Sequence, residues 1–91
     1  HEGFCLWDSK RCDFNATRSA AGRDVLGEFV EAFREAGLKV GLYYSLGDWR
    51  NRDWFAGWQG DAAARDRFVE WTHELVRELM TGYGTIDVLW Y

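Results

Sequence analysis

Apolar residues recur along this chain with two different periods, and the alternation between them predicts its architecture. Leu26, Phe29, Val30, Phe33 and Ala36 fall three and four apart, the spacing of one helix face, and Gly37 stands where such a helix stops. Phe68, Trp71, Thr72, Leu75, Val76 and Leu79 repeat that spacing, with Asp61 placed as an N-cap. Between and after these stripes lie short, nearly continuous apolar runs. The predicted order is a strand tail over His1 to Phe4, a helix over Arg23 to Ala36, a strand over Leu38 to Ser45, a helix over Ala62 to Thr81 and a strand over Ile86 to Tyr91. Apolar strands alternating with amphipathic helices indicate an α/β fold, with parallel strands joined by crossover helices.

The connections are unequal. Cys5 to Gly22 and Leu46 to Asp61 are long strand-to-helix loops, whereas Gly37 and Gly82 to Thr85 are tight helix-to-strand turns. Structureless loops beyond about 12–15 residues are uncommon in compact units and usually functional. An open doubly wound sheet would most often carry a glycine-rich phosphate loop, and Gly22-Arg23-Asp24-Val25-Leu26-Gly27 lacks its spacing. A (β/α)8 barrel expects this asymmetry, because its active-site face is built from the loops at the strand C-termini. The expected fold is therefore a partial (β/α)8 TIM-like barrel. Residues 1–91 read as a fragment of a single catalytic barrel domain, since the chain opens on His1 without Met and closes inside the run Ile86 to Tyr91.

Composition narrows the function classes. The net charge is −4 with scattered Lys and Arg, which argues against a nucleic-acid footprint. No apolar stretch approaches the roughly 20 residues of a membrane span. Six Trp, four Tyr and six Phe are a heavy aromatic load for so few elements, so those rings either pack against further structure or line a pocket. Cys5 and Cys12 share one loop at a spacing that fits no common zinc site or redox pair. They read as ordinary thiols, with a single local disulfide as the alternative. Asn15-Ala16-Thr17 is a sequon that carries meaning only on a secretory route.

Chemistry should gather where strands end. His1 closes the first strand, Tyr43 and Tyr44 the second, Trp90 and Tyr91 the third. Alternation sends only one of each adjacent pair inward. An inward His, Tyr and Trp make apolar walls with a few hydrogen-bonding tips, which suits a sugar. By residue type alone, a strand-end His is more often structural and aromatic residues are ordinary core. Asp8, Asp13, Asp48 and Asp53 lie in the loops, where Asp usually makes turns and caps. Asp87 reads as a turn or salt-bridge residue, Glu2 as structural support and His73 as solvent-facing. Trp49, Trp54 and Trp58 form either a sugar platform or a packing cluster, with packing favoured.

The stretches HEGFCLWDSK with Asp13-Phe14-Asn15, GRDVLGEFVEAFREAGLKVGLYYSLGDW and IDVLWY, in this order and spacing, resemble the α-L-fucosidases of glycoside hydrolase family 29. The resemblance covers nearly the whole chain and is loosest from Arg50 to Asp66. It implies a retaining glycosidase on a (β/α)8-like barrel that hydrolyses terminal α-linked L-fucose from a fucosylated glycan or glycoconjugate through a covalent glycosyl-enzyme intermediate, without metal or organic cofactor. It also implies that His1, Tyr43 and Trp90 contact the sugar. The family's first motif normally carries a second histidine just before the one matched by His1, and its nucleophilic Asp follows the tryptophan by two residues. Both positions fall outside residues 1–91, as does the acid/base. No catalytic carboxylate is therefore expected here, and the isolated fragment should be inactive. A non-catalytic carbohydrate-binding barrel protein of the same class is the alternative. The resemblance is compatible with an extracytoplasmic or lysosomal-type compartment, while linkage preference, aglycone and oligomeric state are not legible.

Overall fold

In a computed structural model that describes residues 1–91, both predicted helices form, and a third lies between them. Helix α1 spans Val25–Glu35, strand β1 Gly41–Tyr43, helix α2 Arg52–Trp58, helix α3 Ala62–Gly82 and strand β2 Val88–Trp90. Helix α1 begins two residues later than expected because Asp24 serves as its N-cap, accepting the Gly27 N–H at 2.8 Å. The same carboxylate accepts the Tyr83 hydroxyl at 2.6 Å, tying the start of α1 to the end of α3. Asp61 caps α3 through the Ala64 N–H at 3.0 Å. Gly37 takes a φ of +71° just after α1, a conformation that costs a glycine nothing.

Strands β1 and β2 pair in parallel, with Gly41 opposite Val88, Leu42 opposite Leu89 and Tyr43 opposite Trp90. The ladder is shorter than the apolar runs that predicted it. Leu38 spends its N–H on the Phe33 carbonyl at 2.9 Å and so belongs to the close of α1. At the foot of the ladder Asp87 clasps Val40: the Val40 N–H donates to the Asp87 carboxylate and the Asp87 N–H to the Val40 carbonyl, both at 2.8 Å. Asp87 therefore makes a turn-like bond to backbone and no salt bridge. At the head, the Tyr44 N–H donates to the Trp90 carbonyl at 2.8 Å.

Two expectations need correction. His1 to Phe4 joins no ladder, because Gly3 adopts a φ of +70° that breaks extended backbone, and the segment is held by loop contacts instead. The second loop is not structureless. Asn51 caps α2 by accepting the Asp53 N–H at 2.9 Å, and the Trp54 ring of α2 packs on Phe68 of α3 at 5.2 Å. No helix is long and apolar enough to cross a membrane.

The core lies on one face of the two strands. Cys5, Trp7, Cys12, Leu26, Val30, Val40, Leu75 and Leu79 form one buried cluster, with Phe33, Leu42, Tyr44 and Trp71 packed against it. The first loop supplies much of this core and is ordered by Asn15. Its buried amide donates to the Cys12 carbonyl at 2.7 Å and accepts the Arg18 N–H at 3.0 Å, so the sequon's asparagine is committed to the fold. Both cysteines are free thiols, and burial raises that of Cys5.

Glu78 of α3 docks the first loop, accepting Trp7 Nε1 and the Lys10 N–H, each at 2.8 Å. Burial alone would raise its pKa, but hydrogen bonds from Trp7, Ser9 and the Lys10 and Arg11 backbone outweigh that and hold it below its ordinary 4.5. A carboxyl depressed in the folded state contributes stability above its unfolded pKa and loses it as pH falls through the folded value. Thermal melting of the intact protein should thus show a lower midpoint for Glu78→Gln at neutral pH, with the difference shrinking progressively below about pH 4.5. A difference that stays constant into acid would refute the docking role.

Candidate functional site

Alternation along β1 and β2 separates helix-facing from open-facing residues. Leu42 and Tyr44 turn toward the helices, whereas Tyr43, Val88 and Trp90 stand on the opposite face and are exposed. Burial pushes the Tyr44 hydroxyl up to about 12, so that phenol stays protonated throughout the physiological range. Tyr43 is the member of the pair on the open face. Because it sits in register with Trp90, their rings meet edge to face, with centroids 5.7 Å apart and planes at 65°.

His1 reaches the same rim by another route. Ser45 follows Tyr43 by one alternation, and its hydroxyl bonds the His1 Nδ1. The Trp49 N–H donates to the His1 carbonyl at 2.8 Å, and the two rings lie 5.5 Å apart. Asp48 completes the attachment: its carboxylate accepts the Arg50 N–H at 3.0 Å while lying against Gly3. The Arg50 guanidinium then rests 4.0 Å above the Phe14 ring, fastening the second loop to the first.

These contacts frame a mostly apolar cleft of about 430 Å³ between the His1 to Trp7 segment, β1 and the inner faces of α1 and α3. His1, Tyr43, Ser45 and Asp48 lie along its wall. Of the three residues predicted to meet a ligand, His1 and Tyr43 share this cleft. Trp90 does not line it and adjoins through the Tyr43 ring. The loop acids are occupied otherwise, Asp8 with Lys10, Asp13 with Arg18 and Asp53 with Arg67. His73 is exposed on α3. Ser45 was findable by alternation from Tyr43. Trp49 was a candidate for a sugar platform or for packing, but its attachment to His1 was not legible, because a turn that spacing does not describe brings it back there.

The sequence model of the family described as Alpha-L-fucosidase matches residues 1–91. The chain belongs to the α-L-fucosidase family. A plasma α-L-fucosidase of Rattus norvegicus is 39% identical over 93 residues, covering 99% of this chain and 20% of the relative. The crystal structure of a GH29 α-L-fucosidase from Bacteroides thetaiotaomicron superposes with a TM-score of 0.89 at 38% identity, over 99% of this chain and 21% of that one. A further GH29 structure from that organism, of a covalent intermediate trapped with 2-fluoro-fucosyl fluoride, gives 0.87 at 35% identity, again over 99% and 21%. This α-L-fucosidase-family chain thus spans about a fifth of the length of these relatives.

In this family member the seam between Gly3 and Asp48 holds the rim together. A Cβ on Gly3 would lie 2.4 Å from Asp48 Oδ1, and the backbone there is left-handed. Gly22 has a similar φ of +62° with open space around it. In the intact protein Gly22→Ala should cost about 1–2 kcal/mol, the backbone penalty alone. Gly3→Ala should cost more than that, since the Asp48 carboxylate must also swing aside and release the Arg50 and Asn51 N–H groups. Chemical denaturation of both variants checks this; equal losses would mean the seam does not constrain the rim.

Proposed function

We propose that the intact protein is a retaining α-L-fucosidase that removes terminal α-linked L-fucose from a glycan or glycoconjugate, and that residues 1–91 supply part of its sugar pocket on a (β/α)8 barrel. The parallel β1–β2 pair with long loops at its C-terminal rim, and an open face bearing Tyr43 and Trp90, supports the barrel. Relatives that include a fucosidase trapped as a covalent intermediate support the chemistry. The observation that carries the reading is the Tyr43–Trp90 ring pair beside the His1 cleft, within a family match spanning residues 1–91.

In this reading the His1 imidazole, held by Ser45, donates to fucose hydroxyls through its other nitrogen. Tyr43 and Trp90 offer apolar surface to the deoxy sugar's methyl and C–H groups. The carboxylates of a retaining mechanism, about 5–5.5 Å apart, belong to other parts of the intact protein. Residues 1–91 then bind and orient, and cleavage is carried elsewhere.

The test is hydrolysis of an aryl α-L-fucoside by the intact protein, with the anomer of the first product followed by NMR. The α-anomer should appear first. Losing a directed hydrogen bond between neutral groups is worth about 0.5–1.5 kcal/mol, so His1→Ala should lower kcat/KM by about 2- to 12-fold. First release of the β-anomer would exclude retention. Fucose binding without turnover would replace the enzyme by a carbohydrate-binding barrel protein.

A further inference from the structure

We infer that Trp49 determines specificity for the leaving group, forming a stacking wall for the sugar to which the fucose is attached. The inference rests on the fucosidase reading above and deepens it. Trp49 is fixed in position yet left bare: its N–H is bonded to the His1 carbonyl at 2.8 Å and its ring lies 5.5 Å from the imidazole, while the residue remains 64% exposed. Trp54 contrasts with it, sandwiched between Phe68 at 5.2 Å and Trp58 at 5.9 Å. That tryptophan packs its loop, and Trp49 does not need to, because Asp48 against Gly3 and Arg50 on Phe14 already anchor the segment.

Position selects the ligand. Gly47 and Asp48 line the cleft with His1, but Trp49 stands just outside it. A fucose seated on His1 inside the cleft would leave that indole to whatever projects from its anomeric oxygen. An exposed indole face is the surface on which the C–H face of a pyranose stacks. Because Trp49 is attached to the backbone of a sugar-binding residue, the ring and the pocket are held in one geometry without a mobile element between them.

The experiment compares two substrates of the intact protein: α-L-fucosyl fluoride, which has no leaving sugar, and the best-cleaved member of a panel of fucosyl disaccharides. In Trp49→Leu the ratio of kcat/KM for disaccharide over fluoride should fall about tenfold, and Trp49→Phe should retain most of it. Leucine keeps apolar bulk for folding and removes only the aromatic face. Equal losses on both substrates would reduce Trp49 to a positioning residue for His1, and an unchanged ratio would remove it from recognition altogether; either overturns the inference. A wild-type protein that cleaves neither substrate would instead overturn the fucosidase reading on which it stands.

Discussion

The clasp between Asp87 and Val40 fixes everything on the strand side of the site. Two hydrogen bonds of 2.8 Å at the foot of the ladder leave one register available, and that register puts Tyr43 opposite Trp90 three rungs higher. A slip of one residue would send every side chain to the other face. Tyr44 would then take the open position, and its partly buried hydroxyl would leave the core. An acidic residue just before an apolar strand thus acts through its bond to an N–H and not through a salt bridge.

The loop side is fixed by a different device. Trp7 and the Lys10 N–H converge on Glu78, which draws the first loop down onto α3 and places Cys5 and Trp7 in the core. The second loop is then secured to the first by Asp48 against Gly3 and by Arg50 over Phe14. His1 sits where the two loops and the end of β1 meet. Loops are ordinarily the mobile, low-stability parts of an α/β unit. Here backbone-directed hydrogen bonds and the partly buried Glu78 carboxylate hold them in place.

Much of this could be read from periodicity, and what could not has a physical cause. Leu26 and Val30, and Phe68, Thr72, Leu75 and Leu79, are buried as their spacing requires, and Asp61 caps α3 because an Asx side chain satisfies an orphan N–H wherever a helix begins. Helix α2 was missed because at seven residues it is too short to show a helical repeat and buries none of its side chains; Asn51 followed by Trp54 and Trp58 was the available signal. The strand tail failed for a local reason. Gly3 reads as neutral in composition, whereas in space it is a left-handed residue pressed against Asp48. His1 and Tyr43 could be assigned to one rim from strand ends alone. The contacts that hold them there, that of Ser45 with His1 included, join residues distant in sequence, and no single-chain period records such pairings.

Tyr43 and Tyr44 show how little sequence separates an open-facing side chain from a packed one. Identical and adjacent, they differ because a strand has a period of two and helices cover only one of its faces. Tyr44 meets the core and Tyr43 meets the Trp90 edge on the uncovered face. That uncovered face, with Tyr43, Val88 and Trp90 all exposed, is too apolar to be an ordinary solvated surface. In the proposed barrel it turns inward, where the lower rungs pack and the upper rungs meet the ligand. The height of a residue along the strand then decides its role: Val88 contributes to the interior, while Tyr43 and Trp90, one alternation higher, reach the mouth where the loops deliver His1.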